Sequence, residues 1–282
     1  MRLVQAQDIP FQHVSGHRQG TIEFKCLLQG EEQRPDNFEF SLVQTRGHYH
    51  TPRHRHNFDQ VRLNLTGAMN YADGKDLRSG EVGYFPEGTR YGPQNIVGDP
   101  LTLVLQSGGA SGEGFMSYRQ LNEGHRALEK LGAFSKGAFR WDPKHRPSGK
   151  SLNQDGYEAI WEYVNGRELR YPEPRHTEPV VMHPDKAGDW TPAARGVKRK
   201  LLGNFSERRI EIEVLRMDAG VDIELGGDGA QRVYFARTGS GTANGARWRE
   251  EAALFVACGE RMALHSEQAS EWFGIRMPEF SA

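Results

Sequence analysis

The sequence is poor in cysteine: only Cys26 and Cys258 occur in 282 residues, far apart in the chain. A small secreted scaffold held by disulfides carries more, so both are expected as free thiols or small buried apolar side chains. No run of 18 apolar residues occurs, which excludes a helical membrane span of ordinary composition. The opening MRLVQAQDIP lacks the apolar core of a secretory leader, so a soluble, cytoplasmic protein is expected. Neither charge sign is in excess: 36 basic residues face 37 acidic ones, for a net charge of −1. Nucleic acids and anionic membrane surfaces usually select a basic excess, so neither is expected as a partner. Long helix-forming stretches are scarce, whereas glycine is abundant at 33. That balance points to a β-rich fold with many turns.

What is present has a two-part plan. At roughly 150 residues per domain, the length corresponds to two domains. Ile22, Phe24 and Cys26 alternate with polar neighbours, as do Phe38, Phe40 and Leu42, which is the period of a half-buried strand. Further strands are expected at 59–66, 68–72, 82–86 and 101–106. Residues 117–131 read as a helix, and so do 155–165, where Tyr157, Ile160, Trp161 and Val164 form an apolar stripe. The polar stretch between them reads as a loop or linker. Strands return at 179–182, 197–204, 208–217, 231–238, 252–257 and 270–276. FDQVRLNLTGAMN in the first half is weakly similar to AQRVYFARTGSGTAN in the second, as in a degenerate duplication.

The densest chemistry lies in PRHRHNFDQVRLNLTG, residues 52–67. Side chains alternate along a strand, so His54 and His56 share a face. An unbroken strand adds Phe58, Gln60, Arg62 and Asn64 to that face and leaves Val61, Leu63 and Leu65 on the other. A polar stripe turned into a barrel is costly to bury unless ligand, water or metal satisfies it. Two imidazoles so placed can converge on one ion at roughly 2.0–2.1 Å. Arg62 has the parity to face the same pocket, where it could hold an anionic group or pair with a neighbouring strand.

The pattern continues as His54-x-His56-x3-Gln60-x6-Gly67, then Gly80-x5-Pro86-x-Gly88-x2-Tyr91-x3-Asn95. This resembles the two motifs of the cupin superfamily over residues 47–95. The resemblance implies a mainly β fold of two cupin-type double-stranded β-helix (jelly-roll) barrels joined by a short helical connector, as in uncharacterised bacterial bicupins. The implied division is an N-terminal barrel at 1–116 carrying the site, a helical connector at 117–177 and a degenerate C-terminal barrel at 178–282. A homodimer is also expected, through a barrel face such as residues 61–65.

Two departures stand out. The family's usual metal site has three histidines and a glutamate; here Gln60 replaces the glutamate and Tyr91 the third histidine. The implied ligand set is His54, His56, Gln60 and Tyr91, which suits iron, manganese, zinc or nickel without selecting one. In the second half, Gly226, Asp228 and Arg232 stand at the positions of His54, His56 and Gln60, and Met262 at that of Tyr91, so no ligand set remains there. His265 is expected at the surface or in the core. His48, His50, Tyr84 and Glu87 flank the motifs as lesser candidates, and Trp161 and Trp190 read as packing residues.

Three functions follow. The resemblance implies a metal-dependent, dioxygenase-like enzyme acting on a small molecule, with Tyr91 and Arg62 as catalytic residues. A metal-free isomerase or epimerase could instead use a histidine base and the Tyr91 acid. The third is a binding protein for a sugar or small acid without turnover.

Overall fold

The computed structural model describes residues 2–14, 16–205 and 208–279, and these form two compact units. One contains residues 11–25 and 29–181. The other contains residues 1–10, 26–28 and 182–282.

In the first unit, Phe58–Thr66 lies between Val82–Phe85 and Leu101–Gly108; Phe38–Thr51 and then Gln19–Gln29 follow in one antiparallel sheet. Gln94–Val97 pairs with the far end of Phe38–Thr51, and Ala68–Ala72 with Lys75–Arg78 forms a hairpin. The predicted alternation is visible in the core. Phe38, Phe40 and Leu42 are buried on one face of their strand, while Val43, Thr45 and Tyr49 line a cavity.

The strand through the histidines is shorter than an unbroken reading predicts. It begins at Phe58, and His54 is held by an isolated bridge in which its backbone and that of Tyr91 exchange two hydrogen bonds of 2.9 and 3.0 Å. The side chains of His54, His56, Phe58, Gln60 and Arg62 still line the cavity, but Asn64 turns aside to bond Thr102 and the Gly67 carbonyl. On the opposite face, Val61 and Leu63 are 3% and 0% exposed within the single chain. That face is not free for the dimer contact expected of it.

The second unit repeats this order. Ala252–Val256, Arg232–Thr238, Ser270–Arg276, Ile210–Met217 and Val197–Phe205 lie side by side as their counterparts do, which matches the internal similarity of the sequence. Gly67 and Gly239 mark the same point of the repeat. Both have positive φ, and a Cβ would meet Pro100 in one and Ser270 in the other. Val221–Gly226, Arg261–Ser266, Ser240–Ala243 and Ala246–Arg249 form the other sheet of this unit. Strands 191–194, 240–243 and 246–249 were not foreseen, because short polar arms give little periodicity; Val221–Gly226 and Arg261–Ser266 were missed although Val221, Ile223 and Leu225, and Met262 and Leu264, alternate with polar or small neighbours.

The division differs from 1–116, 117–177 and 178–282: residues 26–28 group with the second unit and 178–181 with the first, and two larger differences concern the N-terminus and the connector. Arg2–Gln5 pairs with Ala252–Val256, so the first ten residues lie with the C-terminal barrel and cover a sheet edge. Residues 117–177 fold with the N-terminal barrel instead of standing apart. Their helices, Tyr118–Leu128 and Gly156–Asn165, start at Ser117 and Asp155, whose side chains accept from backbone N–H groups of the first turn. They approach closely at Gly124, where a Cβ would lie 2.7 Å from Ile160. The presumed linker contains a small sheet, Gly132–Ser135, Ala138–Trp141 and Asn153–Asp155.

Both cysteines are free, Cys258 being exposed and Cys26 partly buried. Among the described residues, no helix is long and apolar enough to cross a membrane.

Candidate active site

His54, His56, Gln60, Arg62 and Tyr91 meet in a cavity of about 110 Å³ inside the first unit. At about 10–15 Å³ for each water-sized group, it holds on the order of ten such groups. The barrel supplies most of the wall. Met116 and, from the connector, Tyr118, Leu121 and Tyr157 close it, and the segment before the first long strand adds His17 and Arg18.

Hydrogen bonding fixes the proton position of His54. Its Nδ1 lies 2.8 Å from the Pro52 carbonyl, which only accepts, so Nδ1 carries the proton and Nε2 is bare. Arg62 donates through Nε (3.0 Å) and Nη2 to Gln60 Oε1, and through Nη2 to the Tyr91 hydroxyl at 2.8 Å. The Tyr91 hydroxyl also lies 3.4 Å from Gln60 Oε1, to which it donates, and 3.0 Å from His56 Nδ1, where the direction follows the His56 tautomer. Arg62, Tyr91 and His56 form one hydrogen-bonded chain. The rings of His54 and Tyr91 lie beside it with centroids 4.4 Å apart.

Electrostatics keep these rings neutral. Burial, and then Arg18, hold His54 well below its ordinary pKa. Burial, His54 and Arg62 do the same for His56. Burial raises the Tyr91 phenol against the opposing pull of Arg62 and Arg18. Arg18 is itself buried, and its cost is offset by Asp155 at 2.8 Å and by the Gly137 carbonyl. The Tyr157 hydroxyl donates to Asn57 at 2.9 Å, and its ring meets that of His56 edge-on.

The donor set does not fit a divalent metal in this arrangement. The oxygens of Gln60 and Tyr91 accept from a guanidinium, and a permanent cation stands among the four groups. No Asp or Glu lines the cavity, and no cluster of three or more His, Cys, Asp or Glu occurs among the described residues. His54 presents a bare ring nitrogen.

The lesser candidates lie elsewhere. His50 bonds Asn95 at 2.8 Å and His48 is exposed. Glu87 accepts from the amide and hydroxyl of Ser111, and Tyr84 faces His176. Trp161 is buried beneath Arg167, while Arg216 and Lys200 cover Trp190. In the second unit Asp228 pairs with Arg232, Met262 lies in an apolar core with Leu225 and Trp272, and His265 pairs with Asp222 at the surface. Sequence reasoning missed Arg18, His17, Asp155 and Tyr157. Asp155 was accessible as the residue just before an apolar helical stripe; nothing in the neighbourhood of Arg18 marks it.

No protein-family model and no curated protein matches the sequence. Solved structures do match in fold. A candidate dioxygenase from Nostoc punctiforme aligns over 100% of this chain and 84% of its own, with a TM-score of 0.62 at 10% identity. HEPD from Streptomyces albus, solved with 2-hydroxyethylphosphonate and Fe(II), aligns over 100% and 76%, with a TM-score of 0.58 at 10% identity. A variant of the oxalate decarboxylase OxdC from Bacillus subtilis aligns over 100% and 78%, with a TM-score of 0.56 at 11% identity. Another structure of that decarboxylase concerns its Mn(II) centres. The fold is therefore that of the cupins, with a pair of jelly-roll barrels in one chain.

Proposed function

We propose that the N-terminal barrel binds a small oxygenated acid and moves a proton on it without a resident metal, as an isomerase or epimerase does. The Arg62–Tyr91–His56 chain beside the bare Nε2 of His54 carries this reading. His54 Nε2 takes a proton from a carbon next to a carbonyl. The Tyr91 hydroxyl, held by Arg62, donates to the carbonyl oxygen as charge develops there. His54 returns the proton to the neighbouring carbon while Tyr91 recovers one from the other hydroxyl of the enediol, and nothing is oxidised or reduced. The low proton affinity of His54 is set partly by Arg18, and an anionic ligand offsets that cation on binding.

Solvent deuterium exchange, followed by NMR on a panel of 2-hydroxy and 2-oxo acids and sugars, tests this reading. Exchange should survive chelator and fall about a hundredfold or more in Tyr91→Phe and His54→Gln. Activity lost to chelator and restored by one ion would favour the second reading. That reading is a mononuclear Fe, Mn, Zn or Ni centre on His54, His56, Gln60 and Tyr91, with dioxygenase-like chemistry. It is supported by the Fe(II) and Mn(II) in the structural neighbours and requires Arg62 to leave the donor set. Ligand affinity without exchange would leave a non-catalytic binding protein.

A further inference from the structure

The cavity holds two guanidinium groups and only one of them has a counter-ion. Arg18 pairs with Asp155. Arg62, 9% exposed, makes no ion pair among the described residues. Its oxygen partners, Gln60 and Tyr91, are neutral, and its Nη1 meets only the Met69 sulfur at 3.7 Å. The Phe85 ring, 4.3 Å away, supports the cation from one side but brings no charge. A buried cation without a counter-charge is costly, so such a group marks a place where a negative charge arrives. Nη1, whose only described partner is that sulfur, keeps N–H capacity for a carboxylate oxygen.

The rest of the wall describes the remainder of the ligand. Val14, Ile22, Val43, Ile96, Val104 and Leu121 give much of it an apolar lining, interrupted by Thr45, Gln94, Thr102 and Gln106, and the cavity is small. We infer that the natural ligand is a compact monocarboxylic acid with an apolar body, its carboxylate paired with Arg62. This rests on the small-acid reading above and names its substrate class.

Calorimetry in chelator-containing buffer tests it with acetate, 4-methylpentanoate, benzoate, the corresponding amides and inorganic phosphate. At least one of the larger carboxylates should bind, its amide at least tenfold more weakly, and phosphate not detectably. Arg62→Met should weaken the carboxylate at least tenfold. Should that variant fail to fold, Gln60→Glu supplies Arg62 with an internal carboxylate at nearly unchanged volume and should produce the same loss. Equal affinity for acid and amide, binding of phosphate alone, failure of every carboxylate, or full affinity in the folded variants would overturn the inference. A carboxylate that binds but shows no deuterium exchange overturns the acid–base reading and leaves this one standing. Exchange on a neutral sugar without carboxylate affinity does the reverse.

Discussion

Two nitrogens of Arg62 donate to a single oxygen of Gln60, Nε from 3.0 Å, and the same side chain reaches the Tyr91 hydroxyl. A glutamate at position 60 would turn this contact into an ion pair; the glutamine leaves the cation uncompensated. The residue that weakens the metal site in the sequence is thus the one that keeps Arg62 available to an anion.

Removing the cation should reopen the donor set. The double variant Gln60→Glu/Arg62→Met frees Tyr91 and supplies a carboxylate beside His54 and His56. It should bind Mn(II) or Zn(II) about tenfold or more tightly than the wild type, measured by calorimetry. Equal, weak affinity in both would mean that the geometry, and not Arg62, excludes the ion.

The connector is tied to the barrel through one carboxylate. Asp155 accepts from the amides of Tyr157 and Glu158 and pairs with buried Arg18. Asp155→Ala should cost about 3 kcal/mol, from the lost cap and the stranded cation. Asp155→Asn keeps a capping oxygen and should cost about 1 kcal/mol less. Urea unfolding midpoints at fixed pH give both values.

Two buried groups should oppose each other in their pH dependence. Burial raises the Glu39 pKa to about 7, with bonds from Ser41 and the Tyr118 amide in partial compensation. A raised carboxyl holds its proton longer folded than unfolded, so its contribution falls as pH rises from about 4.5 to 7 and is level above. His54 is depressed, so its contribution falls as pH drops below about 6.5. The two slopes offset each other between pH 5 and 7. Glu39→Gln removes one of them. It should gain about 1–3 kcal/mol at pH 8 and lose stability on acidification from 7 to 5, measured by urea unfolding across pH.

In the C-terminal barrel an apolar core replaces the cavity. Met262, the residue aligned with Tyr91 in sequence, is fully buried with Leu225, Leu264 and Trp272. Met262→Ala should cost about 3 kcal/mol in unfolding free energy and leave carboxylate affinity in the first barrel unchanged. A change in affinity would assign that barrel more than a structural role.

Much of the fold was legible because alternation is strong where one strand face is apolar: Phe38, Phe40 and Leu42, or Ile210, Ile212 and Val214, allow only one register. The duplication was legible at Gly67 and Gly239 because a tight turn limits what fits there. The gathering of His54, His56, Gln60 and Arg62 followed from parity, and Tyr91 was placed with them by the resemblance to the cupin motifs. Their hydrogen bonding did not, since whether Arg62 turns to Gln60 or to a neighbouring strand depends on side chains distant in sequence. Arg18 was invisible for the same reason, because it reaches the cavity from a segment that carries no period, while the helical stripe that contains Tyr157 was visible but does not say that Tyr157 meets the cavity. Arg2–Gln5 looked like the start of the first barrel because chain order is the only cue a short strand provides.

Metal content of the freshly purified protein, by plasma mass spectrometry, tests the central claim most directly. With Arg62 holding Gln60 and Tyr91, the wild type should carry far less than one equivalent of any transition metal and no more than a His54→Ala/His56→Ala variant. Near-stoichiometric iron, manganese, zinc or nickel that disappears in that variant would contradict the account and place a metal centre in the barrel.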